Sequence, residues 1–164
     1  MTKEQFKQII QANILLVSTI YEKSDNLYRC YEDFVSNGSN FLIVPTYLYD
    51  TESEKKEAIR QVSNAAGTHA FVCGAITPCI EKLTTSGGTM SFDAYYDQIK
   101  QEAKFLYENM AASVIFLFGF DTLADAKCAV YAVKEACDLP LCVLLDFKND
   151  TRLADGFDIT AATI

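Results

Sequence analysis

The sequence has no cluster of lysine and arginine. Its 14 basic residues are scattered among 22 acidic ones, for a formal charge of −8. That balance argues against nucleic acid and anionic membranes as partners, because both are bound through basic patches. Long apolar runs are missing too. The first, Ile14 to Val17, follows a charged amphipathic stretch and is far too short for a bilayer, which takes about 20 residues. No signal-peptide pattern opens the chain, so the expected location is cytoplasmic. Nor is there a disulfide framework. Cys73 and Cys142 fall inside predicted strands, and Cys30, Cys128 and Cys137 lie on or beside apolar helix stripes; Cys79 follows a proline. Six cysteines placed this way read as reduced, packed thiols rather than a metal or redox set. The same holds for His69 and Cys73, four apart on one predicted strand. A phosphate-binding loop is likewise lacking: Ser86-Gly87-Gly88 neither follows a strand directly nor opens a P-loop, and reads as a flexible connection.

What the chain does have is hydrophobic residues in regular order. They make up half of its 164 residues, enough for one domain with a sizeable core. The stretch Ser113 to Phe147 sets the pattern. Ser113 to Gly119 is an unbroken apolar run rich in β-formers, the habit of a strand buried on both faces. Asp121 or Thr122 can cap the next helix, and Asp121 reads as a cap rather than a site group. Leu123, Ala126, Val130, Val133 and Cys137 recur at helical spacing, with Asp125, Lys127, Lys134 and Glu135 off that stripe. Pro140 ends the helix, because the residue before a proline avoids α geometry. Leu141 to Leu145 is a second buried strand, completing a βαβ unit.

Earlier segments repeat the unit. Lys3 to Ala12 predicts a short amphipathic helix and Asn13 to Val17 the first strand. Ser24 is placed to cap a helix through Ser36. Phe41 to Val44 is the second strand, and Thr51-Glu-Ser-Glu54 is a capping box opening a helix that buries Ala58, Ile59, Val62 and Ala65. His69 to Ile76 is the third strand. Ser91 caps a long helix with Phe92, Tyr95, Ile99, Ala103, Leu106 and Met110 on one face, and Ala154 to Ile164 begins another. Strict alternation with right-handed crossovers leaves two outcomes open, a doubly wound sheet of five strands or part of a (β/α)₈ barrel. In either, a site lies at the carboxyl ends of the strands, which carry Ser18-Thr19, Thr46-Tyr47, Thr77-Pro78, Gly119-Phe120-Asp121 and Asp146-Phe147.

Several segments, in order, resemble the homocysteine-binding domain of cobalamin-dependent methionine synthase and betaine-homocysteine methyltransferase. Val72-Cys-Gly-Ala-Ile-Thr-Pro78 is similar to the family's A-G-S-I-G-P strand end. Gly88-Thr-Met-Ser-Phe-Asp-Ala-Tyr95 resembles G-x-L-S-F-E-E-A-Y. Tyr31 to Tyr47 resembles Y-L-x-A-G-A-D-I-I-x-T-N-T-F, and Ser113 to Ala126 resembles D-L-I-I-L-E-T-x-x-D-L-x-E-A. Leu145-Asp-Phe147 and Arg152-Leu153 match the next strand and its trailing turn. The resemblance implies an α/β fold made of the first five βα units of a (β/α)₈ barrel, as an open parallel sheet or partial barrel with flanking helices. Residues 1–164 would be a single truncated domain, and the parent reaction is methyl transfer to the homocysteine thiol, within methionine biosynthesis.

The same resemblance implies losses. Ser18 stands where the family has an Asp that helps hold the homocysteine amino group, Phe118 where it has a Glu, and Pro45 where it has an Asn; Thr46 is kept. The family's zinc cysteines belong to strands six and eight, past Ile164. Zinc holds the homocysteine sulfur as thiolate, and without it a thiol of pKa about 8.5 is mostly protonated. Phe118 also leaves a substrate ammonium without its charge partner, which is costly in a closed site. The chain is therefore expected to lack catalysis by itself, with no catalytic residue, no metal ligand and no cofactor of its own. Ser18, Thr46, Thr77 and Asp146 remain as candidate substrate contacts. Expected partners are a second copy of the chain or a complementary barrel half, covering a bare apolar edge at Leu141 to Leu145. The alternative is a scaffold that self-associates or pairs with a methyltransferase or corrinoid protein, its aromatic residues filling the former pocket.

Overall fold

The computed structural model describes residues 1–12, 15–110 and 112–162. Five strands form one parallel sheet: β1 (Val17–Ser18), β2 (Phe41–Ile43), β3 (Phe71–Ile76), β4 (Val114–Phe120) and β5 (Leu141–Leu145). Helix α1 (Lys3–Ala12) precedes β1. Helices α2 (Leu27–Ser36), α3 (Glu52–Ala66), α4 (Phe92–Asn109) and α5 (Leu123–Ala136) fill the crossovers, and α6 (Ile159–Ala162) follows β5. The strands lie in sequence order, β1-β2-β3-β4-β5. This order decides between the two architectures. A doubly wound sheet reverses direction at a switch point and takes helices on both faces. An order without reversal keeps all the right-handed crossovers on one face, as in an arc cut from a barrel. The fold is a half-barrel.

Side chains alternate between the two faces of the arc with the strand period of two. Leu42, Val44, Ile76, Ile115 and Leu117 point outward into the main core, against Tyr31, Val62, Tyr95, Ile99, Leu106 and Val133 of the helices. Phe41, Ile43, Cys73, Ala75, Val114 and Phe116 point inward and form a second cluster. The in-register rows Ile43, Cys73, Val114 and Ala75, Phe116, Cys142 stack this cluster in layers. All six inner residues are buried, although no further strand among the described residues closes the arc. Helix α1 covers one end of them: Phe6 and Ile9 pack there, with the Phe6 ring edge-on to Phe41 at 6.0 Å. Tyr47 and Phe118 cover the other end.

Within β4 the alternation breaks at Gly119. The register to β5 shifts between Leu117 and Phe120, and Gly119 takes φ 80°, which side-chain-bearing residues rarely adopt. The bulge turns Phe120 to the outer core, whereas Phe118, two residues earlier, stays with the inner cluster.

Local expectations held where local chemistry governs them. Helix α1 has the bounds expected, the Thr51–Glu54 capping box is complete, and Ser91 accepts from Ala94 N–H at the start of α4. Others need correction. Asn26, not Ser24, caps α2 through its contact with Arg29 N–H, because Ser24 Oγ accepts from Asn26 N–H instead. Ala66 is the buried alanine closing α3, and Ala65 is only half-buried. Phe92 is 53% exposed and stacks on Tyr96 outside the core. β3 begins at Phe71, so His69 sits in the preceding turn and shares no strand with Cys73. β1 is described over two residues, and Asn13 and Ile14 of the expected strand lie outside the described residues, as do positions 163 and 164 of the expected last helix. β5 is not buried on both faces, since it is the edge of the sheet.

Candidate functional site at the carboxyl ends of the strands

At the end of β1 the chain turns past Thr19, whose hydroxyl lies 3.3 Å from the Ile43 carbonyl and 3.4 Å from Tyr47 OH. Tyr31, from the buried face of α2, also donates to the Ile43 carbonyl, at 2.5 Å. Tyr47 donates to the Ile20 carbonyl at 2.7 Å. These bonds tie the β1 and β2 ends together and hold the Tyr47 ring in place. Phe118 meets it edge-on, with centroids 5.1 Å apart, a favoured aromatic geometry. Burial raises the pKa of both tyrosines above the ordinary phenol value, so both remain neutral donors at neutral pH. The carboxyl end of the inner face is thus closed by an anchored Tyr–Phe pair.

The four candidate contacts do not converge, and no hydrogen bond joins any two of them among the described residues. Ser18 pairs in register with Leu42, an outward position, and its hydroxyl lies 2.6 Å from Ser39 Oγ. Thr46 is fully buried and its hydroxyl has no hydrogen-bond partner among the described residues. Thr77 lines a cavity of about 200 Å³ at the end of β3, alongside Tyr49, Gln98 and the Lys55–Glu102 ion pair, which is 2.7 Å long. Asp146 is exposed; its N–H donates to the Phe120 carbonyl at 2.8 Å.

Two acids behave otherwise than expected. Of the two possible caps, Thr122 is the one that caps α5, accepting from Asp125 N–H. Asp121 instead receives the Lys82 ammonium at 2.6 Å. Asp125, expected off the buried stripe, is only 1% exposed. Its carboxylate accepts from Ser86 Oγ at 2.8 Å and from Leu83 N–H at 3.4 Å. The loop from Cys79 to Met90 is therefore fastened to the start of α5 rather than flexible. Gly88 fits the same loop because a Cβ there would fall on the Lys82 carbonyl. The only sequence signal for this clamp was a Ser beside two glycines, and nothing local marked its partner 39 residues on.

The residues present do not fit a zinc ion. Among the described residues no three His, Cys, Asp or Glu side chains converge as ligands would. Burial pushes the Cys79 and Cys128 thiols up to about 11 and raises Cys73 and Cys142 as well. Thiols held protonated at neutral pH are poor ligands, since the metal binds thiolate.

A parallel sheet in strand order, with helices outside it and its polar strand ends gathered on one rim, defines a protein of the (β/α)₈ barrel class, present as five of its units. The family model for homocysteine S-methyltransferase matches residues 2–164, and the chain belongs to that family. Solved structures agree on the fold. The homocysteine methyltransferase MmuM from Escherichia coli in its apo form superposes with a TM-score of 0.71 at 11% identity, over 92% of this chain and 66% of that one. Its metallated form gives 0.75 at 9%, over 96% and 72%. The carboxyl transferase domain of Rhizobium etli pyruvate carboxylase with pyruvate gives 0.56 at 18%, over 86% of this chain and 22% of that one. The chain thus spans about two thirds of the length of the methyltransferase structures. Comparison with curated proteins found no match. No helix among the described residues is long and apolar enough to cross a membrane.

Proposed function

We propose that this chain is a diverged homocysteine S-methyltransferase domain that does not transfer methyl groups by itself and serves as a binding or assembly module. One observation carries the reading: Tyr47 and Phe118 meet over the inner face, each held by its surroundings, where a barrel enzyme keeps its substrate pocket. Phe118 offers a homocysteine ammonium no charge, and anchoring Tyr47 through the Ile20 carbonyl makes displacement of the ring costly. Calorimetric titration of the purified chain with L-homocysteine, with and without zinc, tests it. No heat of binding is expected in either condition. Micromolar, zinc-dependent binding would refute the reading.

A second reading has one observation in its favour, the edge of β5 that no strand among the described residues pairs. In it another polypeptide supplies further strands and the zinc cysteines, and the pair together regains the parent activity. Restored zinc binding on mixing with a polypeptide that carries the family's G-G-C-C-G segment is its expected signature; failure to restore it rejects this reading.

A further inference from the structure

The cavity of about 200 Å³ at the end of β3 lies on the helix side of the sheet, where α3 and α4 meet the strand ends. Ile99 of the outer core lines it, and the Tyr47 ring that shuts the inner face is one of its walls. Its charges are Lys55 and Glu102, whose side chains are 19% and 27% exposed; in no other ion pair among the described residues are both partners so withdrawn from solvent. Taking two charges out of water costs about as much as their attraction returns, so such a pair is a weak source of stability. Lys55 also stands in the first turn of α3, where the helix dipole favours an anion over a cation. Both features suit a site that receives the charges of a ligand. One of the three Lys55 donors goes to Glu102 Oε2. The other two, Glu102 Oε1 and the Thr77 hydroxyl make no hydrogen bond among the described residues, and all of them line the cavity. At its mouth Ile80 is fully exposed, an apolar side chain with nothing to cover while the cavity is empty.

We propose that this cavity binds a small zwitterion, an α-amino acid with a short apolar side chain. The ligand carboxylate takes the remaining donors of Lys55. The ligand ammonium donates to Glu102 Oε1 and Thr77 Oγ1, and the side chain lies between Ile99 and Ile80. One ion pair thereby becomes two, each charge-assisted. A lone anion would meet Glu102 and a lone cation would meet Lys55, so the pair selects against ligands of a single charge. The inference deepens the reading of the chain as a binding module by giving it a ligand, on the helix side of the sheet rather than inside the arc. A ligand of so few atoms is expected to bind with a dissociation constant on the order of 1 mM. That needs no zinc and lies far from the micromolar range in which homocysteine is titrated.

Amide-resolved NMR of the full chain tests this, with L-alanine, propionate and ethylamine as probes, the last two carrying one charge each. L-alanine is expected to shift the amides of Thr77, Cys79 and residues 98–102 saturably. Propionate and ethylamine are expected to bind about tenfold more weakly, the scale of one lost hydrogen bond between charged groups. Lys55→Met keeps the stem of the side chain and should weaken L-alanine about tenfold on the same ground. Glu102→Gln should weaken L-alanine likewise and at the same time strengthen propionate, because the carboxylate that repels a lone anion is gone. A gain of that kind cannot come from a chain that has merely lost its fold. Cavity amides that do not move at about 100 mM L-alanine would overturn the proposal, as would propionate binding as tightly as L-alanine, or a Glu102→Gln chain that gains no propionate. Failure of L-alanine leaves the shut inner face untouched, whereas micromolar, zinc-dependent homocysteine binding that survives Lys55→Met counts against the inner-face reading alone.

Discussion

Replacing Asp125 by alanine asks whether the loop from Cys79 to Met90 is held by one buried carboxylate. Asp125 is 1% exposed and sits in the first turn of α5. Two donors converge on it, Ser86 Oγ–H at 2.8 Å and Leu83 N–H at 3.4 Å. Ser86 keeps a second neighbour, Thr122 Oγ1 at 3.2 Å, so its hydroxyl is not orphaned by the change. Leu83 N–H has no such reserve among the described contacts. A hydrogen bond to a charged group contributes about 1.5–3 kcal/mol, and the longer of these two contributes less. The negative charge near the helix amino end adds about 0.5 kcal/mol. Against this stands the desolvation of the carboxylate, which the alanine relieves. The net expectation is a loss of about 2 kcal/mol for Asp125→Ala, measured by urea denaturation with an unchanged m-value. Asp125→Asn keeps an acceptor and should lose about half of that. Ser86→Ala should cost about 1 kcal/mol, and the double-mutant cycle should return a coupling near 1 kcal/mol. Limited proteolysis should cut the Thr84–Gly88 segment faster in Asp125→Ala than in the wild type. A stability for Asp125→Ala within 0.5 kcal/mol of wild type, which is about the experimental error of an additive pair, would refute the clamp.

Thr51→Ala removes a complete capping box at α3, where Thr51 and Glu54 satisfy each other's backbone donors; it should cost about 1 kcal/mol in the same titration. Stability should also fall in alkaline solution. The Cys79 and Cys128 thiols titrate near 11 in the folded chain against an ordinary value of 9.0. A pKa raised by folding gives a contribution that is full below 9 and is lost as pH climbs toward 11, because the unfolded chain releases its protons first. Replacing both by alanine should lessen the fall between pH 9 and 10 without abolishing it, because Cys73, Cys142 and the buried tyrosines are raised as well; an unchanged slope there would reject the assignment.

Homocysteine S-methyltransferase kinship was legible because it lies in short segments whose order survives divergence, Val72 to Pro78 and Gly88 to Tyr95 above all. Much of the site was not. Ser18 was placed by its position at a strand end, but its face depends on the pairing with Leu42, which a strand of two described residues does not reveal from its own sequence. The closure by Tyr47 and Phe118 joins residues on different strands, and each alone reads as an ordinary apolar residue.

By itself the sequence determined the elements and several of their ends. Apolar spacing drew α1 and the buried stripe of α4, side-chain oxygens set the starts of α3 and α4, and a proline set the start of β5. All of these rest on contacts within four residues, so the chain carries them locally. The tertiary structure decided what depends on distant pairs. Strand order chose a half-barrel over a doubly wound sheet. The Gly119 bulge sent Phe118 and Phe120 to opposite faces. Lys82 claimed Asp121 across 39 residues, and Leu83 met Asp125 across 42. Such contacts form only when the sheet has brought its strand ends together, and no periodicity along the chain records them.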